Sequence, residues 1–241
     1  MTEKNLIKSC ICGNTHDFTE LTINNIPVLK CTDCGVVHQI LENWKDQDLI
    51  NFYTYDYHKI FQERKGVISY ADRYIHDLNI ANIRLDAYKG FLPSYSKGLD
   101  VGSSNSAFVH AAKQRGYDCW GLEPGTDIGD LSCTITGTLE NTDIKPSHYD
   151  WITMHDSIEH MVDVSISLSK AREILKPKGK IIIDLPHFWI PEGQHHWKSI
   201  EHLWFFTKDE FVNILDQMKF DTIEIKEPVP GKLVFYAIKQ V

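Results

Sequence analysis

Three groups of residues in this 241-residue chain have types and spacings that could do chemistry. Cys10, Cys12, Cys31 and Cys34 form two close pairs, each followed by glycine. Four thiolates brought together would close a tetrahedral Zn²⁺ site with no open position for substrate, so the expected metal is structural. The second pair, Cys31-x-x-Cys34, has the usual knuckle spacing, and the first, Cys10-x-Cys12, is one residue shorter. His16 or His38 in place of one thiolate, and four reduced cysteines without metal, are the alternatives. The second group is Gly98-Leu-Asp-Val-Gly-Ser-Ser-Asn-Ser106, followed by Glu123, 23 residues after Asp100. A narrow turn of this kind lets the backbone approach a ligand at Gly102, with Ser103, Ser104 and Ser106 offering hydroxyls, and a carboxylate at that distance can bind a ribose diol. The third group lies between Pro186 and Thr207, which hold four histidines, three tryptophans and two glutamates. Imidazoles suit proton removal near neutral pH, and Trp189, Trp197 and Trp204 offer faces to an apolar or sugar-ring acceptor.

The elements that must position these groups read as α/β. Short apolar strands are expected at Gly98–Val101, Asp118–Leu122, Cys133–Thr136, Trp151–His155 and Lys180–Leu185. Helices alternate with them at Ala107–Arg115, stopped by Gly116, and at Val164–Leu175, stopped by a Lys176-Pro-Lys-Gly179 turn. A third helix opens at Thr207, where Glu210 completes a capping box, and runs to about Gln217. Two alternating strands, Thr222–Glu227 and Leu233–Lys239, then predict a C-terminal antiparallel hairpin. Upstream, short β-like runs around the cysteine pairs have the layout of a zinc ribbon over residues 1–40. Residues 41–97 read as a linker and helical lid, and 98–241 as the main domain.

Composition narrows the partners. A formal net charge of −8 argues against a broad surface for nucleic acid or anionic membrane, which leaves a small molecule. No apolar run is long enough to span a bilayer and the N-terminus has no signal-like core, so the expected location is cytoplasmic. Clustered cysteines in a reducing compartment favour metal over disulfides, and Cys119 and Cys133 read as core residues. Oligomeric state is not readable.

The ordered segments Asp100-Val-Gly102, Gly121-Leu-Glu123-Pro124, Tyr149-Asp-Trp, Ile158-Glu-His160 and Leu175-Lys-Pro-Lys-Gly179 resemble class I S-adenosylmethionine-dependent methyltransferases, with a Rossmann-like sheet. The resemblance implies that Asp100 and Gly102 bracket the methionine moiety and that Glu123 binds the ribose hydroxyls, with Ser103, Ser104 and Pro124 also at the cofactor. It also implies that Leu139 or Glu140 flanks the adenine and that His155, Asp156 and Ser157 line the sulfonium. Serines stand at 104 and 106 where the family often has glycine. Glu201-His202 before Leu-Trp-Phe-Phe is similar to the Glu-His of zinc-ribbon sugar methyltransferases, which implies acid/base roles for His202, His187 and Glu201. It further implies an O-methylated sugar, nucleotide-linked sugar or glycan as acceptor, with C-methylation of a keto sugar next. Tyr53, Tyr55 and Tyr57 read as a lid or as packing, with Tyr57 the cofactor candidate; His160 reads as structural. A nicotinamide-dependent oxidoreductase would want glycine at 104. A nucleic-acid amino-methyltransferase would want an Asn/Asp-Pro-Pro-aromatic run where His155-Asp-Ser-Ile stands. A protein that binds the cofactor without turnover is the non-enzymatic alternative.

Overall fold

The computed structural model describes residues 6–7, 9–53, 70–125 and 129–241. Tyr55 and Tyr57 lie outside them.

A seven-stranded sheet runs in the order β10-β11-β8-β7-β4-β5-β6. Its parallel part consists of β4 (Lys97–Val101), β5 (Asp118–Glu123), β6 (Thr134–Thr136), β7 (Tyr149–His155) and β8 (Leu175–Pro186). β11 (Lys232–Lys239) pairs antiparallel with both β8 and β10 (Phe220–Lys226). In β8, Ile181 and Ile183 enter one core and Ile182 the other, all at 0% exposure. Both faces are therefore covered, as an apolar parallel sheet requires. α2 (Tyr70–Ala87) and α3 (Ala107–Gln114) supply one covering layer through Ala81, Leu85, Phe108 and Val109. α4 (Val164–Ile174) and α5 (Lys208–Gln217) supply the other through Leu168, Phe211 and Leu215. Cys119 and Cys133 are buried under α2 and α3 at 0% and 3% exposure. The capping box at Thr207 and Glu210 forms, with both reciprocal hydrogen bonds.

The Lys176–Gly179 turn sits within β8 rather than before it. Tyr149 faces Leu175 and Trp151 faces Lys180, so three extra residues of β8 bulge out before pairing resumes. A second, four-stranded sheet joins β1 (Phe18–Ile23), β2 (Ile26–Cys31), β3 (Val37–Gln39) and β9 (Trp204–Phe205). Asn24 and Asn25, at φ 50° and 63°, form the two-residue turn between β1 and β2 that left-handed residues favour. β9 comes from the histidine-rich stretch, so that stretch is a structural part of the N-terminal sheet. α1 (Asp46–Asn51) follows. Among the described residues no helix is long and apolar enough to cross a membrane.

Candidate functional site

The strand order reverses between β4 and β7, and a crevice opens beyond the carboxyl ends of strands at such a point. The loop leaving β4 lies in it. Gly102 has φ +76°, and a Cβ there would stand 2.8 Å from Ser157 Cβ, so the backbone passes directly under the residue that follows β7. Ser104 and Ser106 take φ 46° and 62°, the left-handed conformation a glycine would adopt without strain. Ser106 is held there by Thr134 Oγ1 at 2.8 Å and by the amide of Asp130, which donates to its hydroxyl.

Glu123, 7% exposed, accepts from the Ser104 amide at 2.8 Å and from the Gly125 amide at 3.1 Å. Burial raises its pKa, and the two amides oppose that rise. Each oxygen keeps a further lone pair for a ligand. Asp100 is committed elsewhere. Its Oδ1 accepts from Thr153 Oγ1 at 2.8 Å and meets His155 Nδ1 at 3.0 Å, while His155 Nε2 meets the Tyr88 hydroxyl at 3.0 Å. This buried Asp–His–Tyr chain sets the crevice floor. The hydroxyls of Ser103 and Ser157 are buried without a hydrogen-bond partner. Two orphaned donors beside a glycine cradle and a buried carboxylate fit a polar ligand such as S-adenosylmethionine. Asp156 has φ 48° and is bound by Arg84 at 3.2 Å and by Lys232. Pro124 adjoins Glu123, Leu139 is buried in the core, and Glu140 hydrogen-bonds Ser167.

A second cluster follows directly. Ile158–His160 forms a 3-10 turn after β7, and residues 196–204 fold over it. The His160 and His202 rings lie 4.7 Å apart. Tyr53 donates to the carbonyl of Glu201 at 2.8 Å and its hydroxyl meets His160 Nδ1 at 2.9 Å. Burial pushes His160 down to about 4 and His202 well below the ordinary histidine range, so both rings are neutral at physiological pH. Burial likewise raises Glu159 to about 8. Glu201, 3% exposed, pairs with Lys198 at 3.2 Å.

His187 stands apart from this cluster, with Nδ1 3.4 Å from Glu227. The three tryptophans do not form a common platform. Trp197 and Trp204 are 8% and 1% exposed, and only Trp189, at 38%, faces solvent. His160 and Glu159 lie beside His202, directly after β7, and His160 also holds the Glu201 carbonyl and the Tyr53 hydroxyl.

The four cysteines converge. Cys10 Sγ lies 3.4 Å from Cys34 Sγ, Cys12 Sγ lies 3.6 Å from Cys31 Sγ, and all four sulfurs are within 4.8 Å of one another. Sulfurs at about 2.3 Å from a tetrahedral ion stand about 3.8 Å apart, so the cluster fits Zn²⁺ with little adjustment. A hydrogen bond from Cys10 holds the Cys34 thiol down at about 5, while Cys10 itself is pushed up. His38 takes no part. It is buried on β3 between Phe18 and Trp204.

The family described as "Methyltransferase domain" matches residues 71–225. The ubiquinone biosynthesis O-methyltransferase of Idiomarina loihiensis is 25% identical over 174 residues, covering 56% of this chain and 68% of that protein. An S-adenosylmethionine-dependent methyltransferase from Thermotoga maritima shares the fold at TM-score 0.56 and 20% identity, over 70% of this chain and 95% of that one. The Burkholderia thailandensis 1,6-didemethyltoxoflavin-N1-methyltransferase, solved with its substrate and S-adenosylhomocysteine, shares it at TM-score 0.62 and 12% identity, over 93% of this chain and all of that one.

Proposed function

Because this chain belongs to the methyltransferase-domain family and is an S-adenosylmethionine-dependent methyltransferase, we propose that its acceptor is a hydroxyl of a small sugar, nucleotide-linked sugar or glycan. The observation that carries a hydroxyl acceptor is the pair of buried neutral imidazoles, His160 and His202, one turn beyond the cofactor crevice. A hydroxyl must lose its proton as the oxygen attacks, and a neutral ring offers it a nitrogen lone pair that can accept its hydrogen bond. The name of the Idiomarina relative, an O-methyltransferase, agrees on the atom. For the sugar, the support is the Glu201-His202 resemblance and the part-exposed ring of Trp189.

S-adenosylmethionine, when bound, supplies the methyl group on a sulfonium. Glu123 binds the ribose, and Ser103 and Ser157 donate to the polar end. The acceptor oxygen lies against the His160–His202 cluster, His202 first, with Glu201 held beside it by Lys198. Transfer is an in-line displacement, so these residues act mainly by alignment and by excluding water. Residues 1–40 act as a cap closed by a structural zinc on Cys10, Cys12, Cys31 and Cys34, and 41–97 connect it to the transferase domain.

Release of S-adenosylhomocysteine is measured with free and phosphate-capped sugars, small phenols and amines as acceptors. Turnover with hydroxyl compounds and an ether product supports the reading. Methylation confined to amines or to carbon overturns it.

A further inference from the structure

Glu159 is the anomaly of the acceptor end. Its side chain is 0% exposed, and neither carboxylate oxygen has a hydrogen-bond partner. Buried carboxylates are ordinarily paired or bound to a metal, since an uncompensated charge is strongly unfavourable. The surroundings of Glu159 supply ligands. One donor atom from each of Glu159, His160 and His202 lies within 4.8 Å of the other two, and His160 Nε2 is 3.9 Å from Glu159 Oε1.

Backbone carbonyls fix both rings. His160 Nδ1 meets the carbonyl of Glu201, and His202 Nδ1 meets that of His196 at 2.6 Å. A carbonyl only accepts, so Nδ1 carries the proton in each neutral ring and Nε2 carries the lone pair. Ligating histidines are oriented in this way, by a carbonyl on the far nitrogen. Two imidazoles and a carboxylate are the ligand set with which first-row divalent ions keep a position open. Ligands at about 2.1 Å from a tetrahedral ion stand about 3.4 Å apart, so the Glu159–His160 pair at 3.9 Å closes by about half an ångström, and the other pairs, within 4.8 Å, by up to about 1.4 Å, to complete the set. The neighbouring Lys198 is offset by Glu201 at 3.2 Å.

We propose that Glu159, His160 and His202 hold a divalent transition-metal ion, zinc by preference, whose open position takes the acceptor's hydroxyl oxygen. This rests on the placement of the acceptor at this cluster and sharpens it: the ion, rather than the bare ring of His202, makes the hydroxyl acidic, and its proton passes to water as the oxygen takes the methyl group. Acceptors with two adjacent oxygens, able to chelate, are then preferred.

Cobalt(II) titration of the chelator-treated full chain reads the site directly. Cobalt on the cysteines carries thiolate charge-transfer absorption; cobalt on two nitrogens and an oxygen carries visible d–d bands without it. The expected result is one equivalent bound without charge transfer, weakened at least about 100-fold in Glu159→Gln, with the cysteine band unchanged. The absence of that equivalent from the wild-type chain, or its persistence in Glu159→Gln, overturns the site. The wild-type stoichiometry decides alone if the variant fails to fold. Hydroxyl methylation by a protein lacking this equivalent would sink the ion and leave the proposed function standing. The equivalent in a protein that methylates only amines would do the reverse.

Discussion

The cofactor crevice and the acceptor cluster are neighbours built by opposite means. The crevice draws mainly on one stretch of sequence, from Asp100 to Ser157, with Tyr88 joining its floor, and its buried carboxylate Glu123 is held by main-chain amides of Ser104 and Gly125 placed by strand ends. The acceptor cluster assembles Tyr53, Glu159, His160, Glu201 and His202 from three distant segments, and its side chains are held by carbonyls and by one another. Local backbone geometry builds the crevice proposed for the methyl donor. Long-range closure builds the cluster proposed for the acceptor.

The strongest way to break that division is His202→Gln. Turnover should fall about 10²- to 10⁴-fold, the usual range for a group that helps the acceptor lose its proton, directly or through a bound ion, while S-adenosylhomocysteine affinity stays within about twofold. Parallel loss of affinity in calorimetry would show that the two regions are one. Glu123→Ala is the converse: it strands two buried amides and should weaken S-adenosylhomocysteine at least about 100-fold, or about 2.7 kcal/mol. An affinity near that of wild type would remove Glu123 from the site.

A third prediction concerns the sheet that carries the cluster. His38 is fully buried, and burial holds its pKa at about 4 against 6.5 unfolded. Between these values the unfolded chain binds more protons, so stability is whole above about pH 6.5 and drops as pH falls. The loss is about 2 kcal/mol by pH 5. Denaturant titrations of His38→Gln should lack this acid component; an identical slope in both proteins would contradict it. The smallest effect belongs to His187→Gln. With His187 turned to Glu227, turnover should change by less than about fivefold, comparable with other partly exposed contacts. A loss as large as that of His202→Gln would bring His187 into the chemistry.

The crevice was largely readable from the sequence because its signals are local. Strand alternation, the Asp100–Ser106 turn and the spacing to Glu123 require only neighbouring residues. Ser104 and Ser106, where glycine is common, adopt the glycine-like backbone themselves. The cluster was half readable. His202 stood out by composition, but Glu159 is conspicuous only once the chain from 196 to 204 has buried it. The tryptophans misled for the same reason, since aromatic type does not say which face becomes core. Lys176–Gly179 does turn, but the strand hydrogen bonds on either side of it depend on β7, which local pattern does not contain.

The pairing of β3 with β9 sets an order of events during synthesis. His38 finds Trp204 only after the ribosome has delivered nearly the whole transferase domain. Such a contact closes late because its loop entropy must be met before it yields stabilisation. The N-terminal sheet waits for β9, and of the elements described only α5, β10 and β11 follow it in the chain. Until β9 arrives, its β3 edge is open to pairing with another nascent chain, so expression at low rate or low temperature should favour the closed form over aggregates.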